Sequence, residues 1–116
     1  MPDFDPATYG QIAGLSQFQG SGFTFFSAAA ANGISPQFQA YGYEDFTYFI
    51  TASGVTTGAT VKIQAQTPDQ TWVDIDSRVV GGNGSQIVKD AGVYAAIRAT
   101  ISSRTDGTFA VTVIAR

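Results

Sequence analysis

The residues best placed to do chemistry lie in one stretch, TPDQTWVDIDS (67–77), which holds the only tryptophan and two aspartates in a D-x-D spacing. In an extended strand, residues i, i+2 and i+4 share a face. That places Trp72, Asp74 and Asp76 on one side and sends Val73 and Ile75 to the core. Same-face neighbours sit roughly 7 Å apart, inside the roughly 6.5–9.5 Å between the carboxylates of inverting glycosidases. Any D-x-D strand gives that spacing, however, and an acid pair also needs one carboxyl raised by burial or an apolar neighbour. Nothing in the stretch points to burial. The simpler reading is a solvated strand face, with Trp72 a surface aromatic that shields a sheet edge or lies in a contact. Mid-strand Arg98, in VYAAIRATI, is the expected cross-strand partner of Asp74 or Asp76.

Other reactive constellations fail on residue type. The chain has no histidine and no cysteine, which removes the usual triads, imidazole metal sites and zinc–thiolate sites. GGNGSQ (81–86) lacks the lysine of a phosphate loop. A calcium site would have to draw on Asp69, Asp74 or Asp90, and no EF-hand spacing is present. The expectation is a non-enzymatic protein with no cofactor.

These residues must be held by a fold that the rest of the chain suggests. At 116 residues, one domain with a real core is expected. Only 13% of residues are charged, and Phe, Tyr, Val, Ile and Thr abound, which favours strands. A net charge of −3 with singly scattered basic residues excludes a phosphate-binding surface and argues against nucleic acid as a partner. No apolar run approaches a membrane span, and MPDFDPATYGQ has no basic region of the signal-peptide kind. A soluble product made in the cytoplasm is expected.

Strand signals recur every 8–12 residues: 21–28, 36–43, 44–53, 59–66, 71–76, 85–89, 92–101 and 107–116, with Asn-Gly and Asp-Gly steps marking turns. In the strand over 92–101, Val93, Ala95, Ile97, Ala99 and Ile101 form the apolar face. SAAAANG (27–33) reads as one helical turn, with Ser27 as cap and Gly33 as stop. The pattern predicts an all-β Greek-key sandwich, jelly-roll or immunoglobulin-like, of roughly seven to nine strands. DAGVYAA (90–96) resembles the D-x-G-x-Y corner of immunoglobulin-like domains. The family's following cysteine is replaced by Ala96, so only the sandwich is implied.

Twelve of the fifteen aromatics fall between Phe4 and Phe49, and nothing before Glu44 is charged except Asp3 and Asp5. Residues 1–36 are expected to form an aromatic N-terminal arm or extra strands, and 37–116 the sandwich. Phe23, Phe25, Phe26, Phe38, Tyr41 and Tyr43 are the candidate interface residues. They have two readings: an arm or exchanged strand buried on another subunit, or a strand pair completing the domain's own sandwich.

FTYFITASGVTTGATVKIQAQTPDQTWVDIDS, followed by NGSQIVKDAGVYAAIRATISSRTDGTFAVTVIA, resembles a recurrent module of tailed-bacteriophage virion proteins over residues 46–116. The resemblance implies a capsid decoration (cement) protein or a related head, tail or baseplate component. Its partners would be itself, with a homotrimer as the first expectation, and the major capsid protein at the virion surface. The competing class is a carbohydrate-binding or adhesin module with Trp72 as a stacking platform.

Overall fold

The computed structural model describes residues 21–116. They form nine strands: β1 (Ser21–Ala29), β2 (Gly33–Ile34), β3 (Phe38–Gln39), β4 (Asp45–Ser53), β5 (Ala59–Gln66), β6 (Trp72–Val80), β7 (Gly84–Ala91), β8 (Ala96–Ser102) and β9 (Thr108–Ala115). One sheet has the order β1-β9-β4-β7, and the other runs β2-β8-β5-β6 with β3 also on β8. All pairs are antiparallel.

The pairings nest. β5 pairs β6, β4 pairs β7, β2 and β3 pair β8, and β1 pairs β9. The chain is thus one long antiparallel ribbon rolled into two layers, which is the jelly roll of the two expected topologies.

The core follows from strict alternation in the central strands. Phe46, Tyr48, Ile50 and Ala52 of β4 and Phe109, Val111, Val113 and Ala115 of β9 face Val61, Ile63 and Ala65 of β5 and Ile97, Ala99 and Ile101 of β8, all buried. Apolar side chains every second residue give each sheet one dry face.

Several local expectations are corrected. The helical turn over 27–33 does not form, because β1 runs to Ala29 on its partner β9. The strand over 36–43 shrinks to β3, and the one over 92–101 begins only at Ala96. Val93, assigned to the core, lies in the β7–β8 loop and is 75% exposed. Val73, also assigned to the core, is 51% exposed at the end of the sandwich. Ile75 does pack against the core. Within 1–36, residues 21–36 contribute β1 and β2 to the sandwich; the remainder of that segment lies outside the described residues.

One end of the roll is tied by side chains that cap loop backbone. The Asp106 carboxylate accepts from the N–H groups of Thr56, Thr57 and Gly58, linking the β8–β9 loop to the β4–β5 loop. Asn83 Oδ1 accepts from Val55 N–H, and Asn32 Oδ1 from Arg104 N–H. At Gly58 the chain passes so close to β6 that a Cβ would sit 1.8 Å from the Val80 carbonyl oxygen, with φ at +96°.

Two predictions follow from these loops. Gly58→Ala should cost about 2–4 kcal/mol by urea denaturation, since backbone must move. Gly54→Ala, with φ at +67° and nothing within 4 Å, should cost about 1 kcal/mol. The second concerns pH. The Gly58 N–H, with those of Thr56 and Thr57 and the Arg104 charge, holds the Asp106 carboxyl below its ordinary range. The stability it contributes is present above the unfolded value of about 3.9 and is lost as pH falls through the lower folded value. Asp106→Asn should therefore flatten the fall of Tm below about pH 4. Some slope should remain, because Asp69 and Asp74 are lowered too.

Candidate functional site

The D-x-D strand is where the structure departs most from the sequence pattern. β6 pairs Asp74 with Gln64 and Asp76 with Ile63, so a bulge at Ile75 shifts the register by one residue. A bulge reverses the alternation beyond it. Trp72 and Asp74 face outward, whereas Asp76 stands opposite inward-facing Ile63. The two carboxylates are on opposite faces of the sheet and form no acid pair.

Each has its own partners. Asp76 takes a two-pronged contact from Arg78, Nε to Oδ2 at 2.7 Å and Nη2 to Oδ1 at 3.1 Å. Arg78 Nη1 reaches across the mouth of the sandwich to Gln86 Oε1 on β7 at 2.6 Å. Asp74 accepts from Gln64 Nε2 at 2.9 Å, and Lys62 Nζ lies 3.5 Å from its other oxygen. The Gln64 hydrogen bond, aided by the Lys62 charge, holds Asp74 below the usual carboxylate range. A general acid needs the opposite shift.

Arg98 was assigned Asp74 or Asp76 as partner. Its Nε instead donates to Gln64 Oε1 at 2.8 Å, and its guanidinium lies 4.2 Å from the centroid of the Trp72 ring. Gln64 thus relays between Arg98 and Asp74 with both ends of its amide, and this Trp72–Arg98–Gln64–Asp74–Lys62 ladder crosses β8, β5 and β6 on the outer face. Arg98 covers one face of the partly exposed tryptophan, so only its other face is left for a stacking contact. Asp69, Asp74 and Asp90 do not gather; among the described residues no three metal-ligating side chains do. Asp69 is bound within its own turn by Thr67 and Thr71.

The six candidate interface aromatics divide by burial. Phe25 and Phe38 are core residues, while Phe23, Phe26 and Tyr43 pack against the core. Phe23 meets Phe25 edge to face and packs at a tilt on Phe38, as Phe38 does on Tyr43. A bulge in β1 between Thr24 and Phe26 lets both Phe25 and Phe26 turn inward. Only Tyr41 stands clear, at 73% exposed.

The apolar surface that does face solvent was not singled out by the sequence. On the outer face of the β1-β9-β4-β7 sheet, Phe49 lies opposite Ile87, and Ile114 opposite Thr47, amid Thr24, Thr51 and Thr112. Ile87 and Ile114 are exposed. Charge appears only toward one end, at Asp45, Lys89 and Arg116. The available signal was the pair of faces in DFTYFITAS, where Thr47, Phe49 and Thr51 alternate with a wholly apolar set.

The guanidinium over Trp72 generates a prediction. Arg98→Ala should shift Trp72 emission to the red and lower stability by about 0.5–1 kcal/mol in urea melts. Asp74→Asn should leave the emission unchanged.

Known proteins were compared with the chain. No protein-family model and no curated protein matches it. Among solved structures it is similar to the SPBc2 prophage-derived protein YomS, at 16% identity and TM-score 0.62 over 84% of this chain and 94% of that one. PirA is similar at 14% identity and TM-score 0.50, over 84% of this chain and 93% of that one. A mutant of the carbohydrate-binding module CBM29-2 matches more loosely, at 7% identity and TM-score 0.45 over 84% and 86%, too loosely to bear on this chain. At such identities the likeness to YomS and PirA is one of fold: a small all-β sandwich.

Proposed function

We propose that this protein is a non-enzymatic structural component of a tailed-bacteriophage particle, a capsid decoration protein that self-associates and binds the major capsid protein. The observation that carries this reading is the outer face of the β1-β9-β4-β7 sheet. A flat, threonine-rich surface around Phe49, Ile87 and Ile114 gains from being covered, at roughly 25 cal/mol per Å² of apolar area removed from water. Its charges are Lys89, across from Thr47, and Asp45 and Arg116, which border Phe49 and Ile114; the rest of the face would cost little to desolvate. The opposite outer face carries the Lys62–Asp74 and Arg98–Trp72 contacts, with Ile34 and Val79 also exposed on that sheet.

The fold shared with a prophage-derived protein supports the phage assignment. The aspartates of the D-x-D strand, separated and individually bound, offer no acid pair, which is in keeping with a non-enzymatic role. Edge pairing with neighbours is disfavoured at β1 by its bulges and at β6 by its inward-pointing charges, whereas β7 is a regular edge strand. A homotrimer, adding buried area across neighbouring capsomers, is the expected assembly.

The test uses purified particles of the phage that carries the gene, separated into heads and tails and quantified by mass spectrometry, with light scattering of the free chain. The chain should appear on heads in stoichiometric amounts and scatter as a trimer. Ile87→Lys with Ile114→Lys should abolish both while changing Tm by less than a few degrees, since both side chains are exposed. Recovery on tails alone would favour a tail or baseplate component. A monomer absent from every particle fraction would end the proposal.

A further inference from the structure

At the end of the sandwich away from Asp106, the β5–β6 turn and the β7–β8 loop stand apart and leave an open cleft of about 480 Å³ between them. Val73, Asp74 and Gln66 form one side, and Asp90, Val93 and Tyr94 the other. It continues past Pro68 into a second hollow of about 220 Å³ that reaches Tyr41. The larger part alone falls within the roughly 300–1,000 Å³ of small-ligand sites.

The lining has an unusual make-up for a loop end. Tyr41, Val73 and Val93 present apolar surface to water at 73%, 51% and 75% exposure. Tyr94 is held in place, its ring against Phe46 and its hydroxyl donating to Asp90 Oδ2 at 2.9 Å. The polar side chains of the lining include the Asp90 carboxylate, an acceptor, and the Gln66 amide, able to donate or accept, whereas the Asp74 carboxylate is turned to the outer face, onto Gln64 and Lys62. No lysine or arginine lines either hollow.

We infer that this cleft is a binding site for a neutral oligosaccharide, with Tyr41 packing on a sugar ring face and Asp90 and Gln66 hydrogen-bonding to ring hydroxyls. A sugar offers what the cleft lacks: an apolar C–H face for the exposed aromatic surface and O–H donors for the fixed Asp90 carboxylate. Phosphate, sulfate and uronate groups are disfavoured by the Asp90 carboxylate, since no lysine or arginine of the lining offsets it. A basic peptide is the other class that such a lining admits. The structure favours the sugar on two grounds. Asp74 is neutralised by Lys62 outside the cleft, and Asp90 is oriented by the Tyr94 hydroxyl, so the lining offers one fixed acceptor and no cluster of charge for basic side chains. The bordering edge strand β6 is bulged at Ile75 within the cleft wall, which interrupts the ladder a peptide would extend. The cleft and the apolar sheet face are separate surfaces, so this inference stands or falls independently of the particle reading.

The test is an amide-shift titration of the isotope-labelled intact chain with β-1,4-linked hexamers of glucose, mannose and N-acetylglucosamine, alongside an arginine-rich hexapeptide. At least one sugar should shift amides in Tyr41–Gly42, Thr67–Asp69 and Gly92–Ala95. Tyr41→Ala, which removes an exposed ring and should leave Tm unchanged, is expected to weaken that binding on the order of tenfold. Asp90→Asn should do the same if it folds; if it does not, Tyr41→Ala decides. The inference is overturned if no sugar shifts these amides, if shifts fall elsewhere, if only the peptide binds, or if Tyr41→Ala binds as the parent does.

Discussion

Everything else in this molecule hangs on the dry contact between four central strands, β9 and β4 against β8 and β5. Only there is the alternation unbroken on both sheets, so only there do Phe46, Tyr48, Ile50, Phe109, Val111 and Val113 meet Val61, Ile63, Ile97 and Ile101 without a polar side chain between them. The contact has one polar intruder. The Tyr48 hydroxyl is buried with no hydrogen-bond partner, and burial, with the Asp90 charge nearby, pushes its ionisation well up. A neutral phenol is tolerable in such surroundings; a phenolate is not.

Away from that centre each edge is closed by a different device. β1 carries two register shifts, and its inward side is filled by phenylalanines that pack on Phe38. On the opposite side the mouth between β6 and β7 is bridged by Asp76, Arg78 and Gln86. Asp76 raises the already strongly basic Arg78 further, so the guanidinium stays charged at any ordinary pH. Polar groups at the rim cost less than in the centre because water reaches them, and they make an unattractive template for an added strand. The two broad faces are then left with opposite characters, one an ion-pair and cation–π ladder, the other threonines around three apolar side chains.

The fold class was legible because β5 and β9 obey period two without exception and because turn residues separate the strands. The site was less so, and β6 shows why. Trp72, Asp74, Asp76, Arg78 and Val80 all have the same parity, yet Val80 is buried and Trp72 faces out. No straight strand satisfies both, and a bulge at Ile75 is the reconciliation. A strand read only as far as Asp76 conceals that conflict. Val93 misled in the reverse sense. Its alternation with Ile97 continues the core pattern, but Gly92 bonds to Glu44 and Ala95 to Ala40, holding 92–95 as a loop. The N-terminal aromatics were ambiguous for a deeper reason: composition records how much surface must be covered, and only pairing says by which chain. For Phe23, Phe25 and Phe38 the cover is the domain's own.

The rolled-ribbon topology has a kinetic side. The last strand, β9, lies between β1 and β4 in the middle of its sheet. While a ribosome is still delivering the chain, β4–β7 and β5–β6 can zip as nested hairpins, but β1 has no neighbour until Thr108–Ala115 emerges. Closure is therefore the final, long-range event, of the slow kind expected where pairing joins distant segments. Until it occurs, Phe23, Phe25 and Phe26 are uncovered and open to capture by another nascent copy. A chain arranged this way has a window in which folding competes with entanglement, and the docking of Thr108–Ala115 between β1 and β4 closes it.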